Sequence, residues 1–84
     1  MSAEPARARV TLVTRAQCHL CEDARRTVAR VCAEAGVRWD ERDVDDSPEE
    51  LARWSDLVPV VLVDGAQHDI WAVDPARLRA ALGR

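Results

Sequence analysis

Lysine, phenylalanine and tyrosine are absent from these 84 residues, and only three glycines, three cysteines and one methionine occur. All twelve basic residues are therefore arginine, which reads as the codon bias of a GC-rich genome and carries no chemistry. Fifteen acidic residues outnumber them, with the two signs interleaved and a net charge of −3. No basic stripe exists to follow phosphates, which excludes nucleic acid as the main partner. Long apolar runs are missing as well. The longest, residues 58–63, contains Pro59 and falls far short of the roughly 20 residues a membrane-spanning helix needs. The opening Met1-Ser2-Ala3-Glu4-Pro5 has no apolar segment of the kind that directs secretion. Three cysteines, only two of them close together, do not make the paired framework of a small secreted domain. These absences together point to a protein of the cytoplasm with no membrane partner. In that compartment thiols are kept reduced, and a Cys-x-x-Cys is more often catalytic or metal-binding than structural.

What is present centres on Thr14-Arg15-Ala16-Gln17-Cys18-His19-Leu20-Cys21. An apolar β-rich run precedes it and a long helical pattern follows. Residues three apart on a helix share a face, with Cβ atoms roughly 5–6 Å apart. A disulfide takes Cα atoms roughly 4.4–6.8 Å apart, so Cys18 and Cys21 can join and separate with little backbone movement. A helix N-terminus offers orphan N–H groups and a partial positive charge, which favour an anion. A thiolate at Cys18 is such an anion, and the thiolate is the reactive form of cysteine.

The remaining pattern predicts one domain over residues 1–84, with 1–8 a patternless, frayed lead-in. Residues 9–14 read as a strand. Residues 18–35 read as a helix whose apolar stripe is Leu20, Ala24, Val28, Val31, Cys32 and Ala35, ended by Gly36 at the C′ position. Glu34 lies within reach of Arg30 at i+4. Residues 37–44 are extended, with Val37 and Trp39 on one side. Ser47-Pro48-Glu49-Glu50 is a capping box with proline at the first helical position. The helix it opens, to about Ser55, offers Leu51 and Trp54 to the core. Val60 to Val63 is apolar on both faces, as a central strand is. Asp64-Gly65 signals a hairpin, with residues 67–71 the returning strand. Asp74-Pro75 caps a last helix that buries Leu78, Ala81 and Leu82. The order is β-α-β-α-β-β-α: an α/β fold with a four-stranded mixed sheet and helices on both faces.

With these residues in view, the chain resembles a glutaredoxin of the thioredoxin superfamily over residues 9–82. The strand Val10-Thr11-Leu12-Val13-Thr14, then Cys18-His19-Leu20-Cys21, then Val58-Pro59-Val60-Val61-Leu62-Val63-Asp64-Gly65 carry the likeness. The resemblance implies a thioredoxin fold, a cis peptide bond before Pro59, and a substrate-binding backbone at Val58 and Pro59 facing the dithiol. Arg15 matches the family's basic residue three before the first cysteine. Three positions depart from the family. His19 and Leu20 replace its Pro-Tyr pair, Val58 stands for its threonine, and Ile70-Trp71-Ala72-Val73-Asp74 replaces the Gly-Gly pair that holds glutathione. Redox chemistry is thus implied, and glutathione binding is not.

On this reading Cys18 attacks a disulfide and Cys21 resolves the intermediate, with no metal and no bound cofactor. Arg15, His19, Val58, Pro59 and Trp71 are the candidate substrate contacts. His19 can also be a plain surface residue, and the expected place of Trp71 is packed under the last helix. Cys32 lies eleven residues beyond Cys21, roughly 16 Å along the helix, so it is core and not a third ligand. His68 is expected in solvent. The expected partners are a disulfide-containing protein or a low-molecular-weight thiol, with a second thiol or a reductase to restore the dithiol. The protein is expected to act as a monomer. Two other functions fit the same residues: a non-catalytic adaptor of thioredoxin fold, and a metal or iron–sulfur carrier using thiolates from two chains.

Overall fold

The computed structural model describes residues 8–83; the expectations for the lead-in before Ala8 lie outside them. Strand β1 (Val10–Thr14) runs into helix α1 (His19–Ala35), and the chain returns as β2 (Trp39–Asp43). A 3₁₀ turn over Val44–Asp46 leads to α2 (Pro48–Trp54), followed by β3 (Val60–Val63), β4 (Ala66–Ile70) and α3 (Pro75–Leu82). The sheet order is β2-β1-β3-β4, with β1 and β2 parallel and both other pairings antiparallel. This is the thioredoxin/glutaredoxin fold.

Strand alternation sorts the core onto two faces. Val10, Leu12 and Val61 face α1 and α3, where Val28, Val31, Cys32, Leu78 and Leu82 cover them. Val13, Val60 and Leu62 face the other way, against Val44 and Trp54. Charged pairs pin the edges. Arg9 holds Asp64 with two bonds of 3.1 and 3.0 Å, tying the start of β1 to the β3–β4 turn. Asp64 and Gly65 at that turn have φ of 52° and 86°, the two positive values a type I′ hairpin needs.

Several side chains lie elsewhere than their spacing suggests. Leu20 is 54% exposed, and Cys21 takes its place at the head of the stripe at 1%. The stripe runs through Cys21, Ala24, Val28, Val31, Cys32 and Ala35. Leu20 sits one residue, about 100° of helix, off it. Leu51 is also exposed, while Trp54 of the same helix is buried in the core. Ala81 is exposed while Leu78 and Leu82 are buried. Glu34 pairs with Arg79 of α3 at 3.0 Å, so it bridges helices instead of serving Arg30. The side chain of Glu50, half of the expected capping box, lies outside the described residues.

Strand β4 starts and stops one residue early, at Ala66 and Ile70, which leaves Trp71 outside it. A bulge causes part of this. Val61 pairs with Asp69 but Leu62 pairs with Gln67, so His68 is the extra residue. His68 is half-buried with its Nε2 enclosed and unpartnered, and not in solvent. Trp71 is 55% exposed, so it does not pack under α3. No helix of the described residues is long and apolar enough to cross a membrane.

Candidate active site

The site is built where β1 ends. Arg15, Ala16 and Gln17 make the turn, with Gln17 at φ 58° reversing the chain toward α1. Cys18 is the N-cap, still extended at φ −120° and ψ 107°, and not the first helical residue. Its Sγ accepts the Cys21 N–H at 3.1 Å, as a capping oxygen does elsewhere. The backbone thus aims an orphan donor at the Cys18 sulfur, and negative charge there is stabilised by the helix's positive end. Cys18 and Cys21 stand at disulfide distance, with Cα atoms 5.2 Å apart.

The two sulfurs differ in access. Cys18 is half-buried and opens on a cleft of about 530 Å³, lined also by Arg15, Ala16, Gln17, Ser55, Asp56 and Val58. Cys21 is enclosed. Cys32 is wholly buried, and burial pushes its thiol up from the ordinary value, because the thiolate cannot be solvated there. Among the described residues, no three His, Cys, Asp or Glu side chains group to hold a metal ion.

The other candidates divide. Arg15 lies in the cleft wall, with Nη1 donating to the Ser55 carbonyl at 3.1 Å. That bond ties the turn before Cys18 to the end of α2. Val58 shares the cleft with Cys18. The Val58–Pro59 peptide bond is cis. Pro59 itself is buried, and its carbonyl accepts the Trp71 N–H at 2.8 Å. That bond joins the residue before β3 to the residue that follows β4. His19 is exposed on the first turn of α1. Trp71 stands outside the cleft lining, but its indole N–H donates to the Asp56 carbonyl at 3.3 Å.

Ser55 and Asp56 were not among the sequence candidates. Their place just before Val58-Pro59 was the available signal, since residues leading into that bond must share its wall. A further fork steadies α1 one turn beyond the dithiol. Arg25 donates to both Glu41 oxygens at 2.8 and 2.7 Å, and the buried Thr14 hydroxyl donates to the same carboxylate at 3.0 Å. Chiefly through the Arg25 hydrogen bonds, the Glu41 carboxyl is held below its ordinary pKa.

Comparison with known proteins agrees with this architecture. Residues 9–83 match the model of a family described as a glutaredoxin-like domain. An uncharacterized protein of Mycobacterium tuberculosis is 39% identical over 83 residues, which is 93% of this chain and 86% of that protein. A structural-genomics target from X. campestris superposes with a TM-score of 0.71 at 30% identity, covering 88% of this chain and 95% of that one. Thioredoxin 1 of Thermosipho africanus gives 0.63 at 15% identity, covering 89% and 90%, a likeness of fold alone.

Proposed function

We propose a redox function for this chain, which belongs to the glutaredoxin-like domain family: it is a thiol–disulfide oxidoreductase. The observation that carries the reading is the asymmetry of the pair. Cys18 caps α1 and opens on the cleft, while Cys21 is enclosed and points its N–H at the Cys18 sulfur.

In the proposed reaction the Cys18 thiolate attacks one sulfur of a substrate disulfide. A bond forms between Cys18 and that sulfur, the substrate S–S bond breaks, and the other sulfur leaves as a thiolate with the electron pair. The Cys21 thiolate then attacks Cys18, releasing the second substrate thiolate and closing Cys18–Cys21. Two electrons pass from the dithiol to the substrate. A second thiol or a reductase returns them, and no metal or resident cofactor takes part. Arg15 and Val58 form the wall against which substrate lies, with Pro59 next to Val58 and His19 and Trp71 at the margin. The substrate is a disulfide-containing protein or a low-molecular-weight thiol in its disulfide form. The protein works as a single-domain monomer in the cytoplasm, in redox homeostasis.

A trap tests this. Cys21→Ser, reduced and then given a disulfide, is expected to retain one substrate half on Cys18, seen as a single added mass released by reductant. An unmodified Cys21→Ser protein after the same exposure overturns the reading and favours the adaptor function.

A further inference from the structure

The backbone at Trp71 is unusual and heavily restrained. Its φ is 68°, in the left-handed region that bulky residues avoid. The Ala72 N–H donates back to the Ile70 carbonyl at 2.8 Å, closing a three-residue γ-turn with Trp71 at its centre. Gamma-turns with positive φ are rare and strained. Four bonds hold this one. Besides the γ-turn bond, Trp71 N–H reaches the Pro59 carbonyl and its indole N–H reaches Asp56. The Asp74 N–H reaches the Asp69 carboxylate at 3.4 Å. So much restraint on a strained turn yields one result: an indole ring fixed in place with more than half its surface in water. Strain of that kind concentrates at functional positions.

The ring does not stand alone. Leu20, the residue before Cys21, is 54% exposed, and a groove of about 130 Å³ runs between it and Trp71. Ala24, Ala72 and Val73 add apolar lining, Thr27 adds a hydroxyl-bearing side chain, and Asp23 is its one charged lining residue. Asp23 is paired with Arg26. The groove offers no cation to a small thiol's carboxylates. It does offer room and apolar surface for one aliphatic side chain. It neighbours the cleft, because Leu20 is two residues from Cys18 and the Trp71 indole donates to the carbonyl of Asp56, a cleft residue.

We propose that the Leu20–Trp71 groove selects polypeptide disulfides in which an aliphatic side chain lies next to the reacting cysteine. Cys18 engages the cysteine sulfur in the cleft while the neighbouring side chain enters the groove. This rests on Cys18 being the attacking thiolate. The groove is then what separates a peptide substrate from a small anionic one.

The test compares two blocked peptides that differ only in leucine or serine beside the cysteine. Each cysteine is joined by a disulfide to 2-nitro-5-thiobenzoate. Attack by Cys18 on the peptide sulfur makes a Cys18–peptide disulfide and expels the coloured thiolate, whose release gives the rate. Reduced wild-type protein is expected to prefer the leucine peptide by about tenfold, the scale of hydrophobic discrimination by one pocket. In Trp71→Gly, where glycine keeps the left-handed turn, the ratio is expected to fall to about 2 or less. Leu20→Ser, a change at an exposed position, is expected to lower it similarly. The ratio within one variant does not move with its folded fraction. A wild-type ratio near one, or a ratio unchanged in both variants, overturns the groove's role. If neither peptide nor 2-hydroxyethyl disulfide reacts with the wild-type protein, the oxidoreductase reading fails first and the groove's role with it.

Discussion

Cys18→Ser is expected to lower the rate of disulfide exchange at least about 1,000-fold, because the attacking atom itself is removed. A serine hydroxyl does not ionise near neutral pH and forms no bond that a second thiol can resolve. Cys21 cannot substitute for it. Its side chain is enclosed, and Cys21 is not among the residues that line the cleft. Cys32 cannot either, since it is wholly buried and its thiol is pushed up by that burial. Serine keeps a capping oxygen at the start of α1, so the fold is expected to survive. Reduction of a small disulfide, followed by stopped-flow or coupled assay, checks the loss. A Cys18→Ser protein within tenfold of wild type would move the nucleophile to another residue.

Leu78→Ala is expected to have the largest effect on stability. Leu78 is fully buried in the cluster that joins α3 to α1 and the sheet, with Leu12, Val28, Val31 and Val61. Helix α3 has eight residues and turns only Leu78 and Leu82 into the core, so little remains to dock it. Truncating a buried leucine removes its transfer free energy and leaves a cavity, at about 2–5 kcal/mol. Domains of this kind have about 5–15 kcal/mol in total, so the loss is a large share. Leu51→Ala is the control. Leu51 is 40% exposed on α2, and the change is expected to stay within about 0.5 kcal/mol. Urea midpoints for both proteins test the pair. Equal shifts would contradict the assignment of the two leucines.

The elements were legible because their signals are local. Gly36 at φ 69°, the type I′ turn at Asp64 and Gly65, and Asp74 accepting from the Ala76 and Arg77 N–H groups each follow from one or two residues. So did the placing of Cys18 and Cys21, since a strand, a turn and a helix start leave few alternatives. Side-chain facing was harder wherever a stripe could be drawn two ways. Leu20 and Cys21 are adjacent apolar residues, and only the rotation of α1 against the sheet decides which is buried. Trp71 was misplaced for a different reason. Its exposure depends on a bulge at His68 and on bonds to Pro59 and Asp56, contacts distant in sequence that no periodicity reports. Glu34 likewise found Arg79, forty-five residues away, over the nearer Arg30.

Of the three cysteines, Cys18 is the proposed attacking thiolate. Alkylating the fully reduced protein near neutral pH with limiting iodoacetamide, and mapping the label by mass spectrometry over time, tests that assignment. Cys18 caps a helix and opens on the cleft, Cys21 is 1% exposed, and Cys32 is 0% exposed. The predicted result is rapid labelling of Cys18, slow labelling of Cys21, and labelling of Cys32 only after denaturant is added. Equal labelling of Cys18 and Cys32 in the folded protein would contradict it.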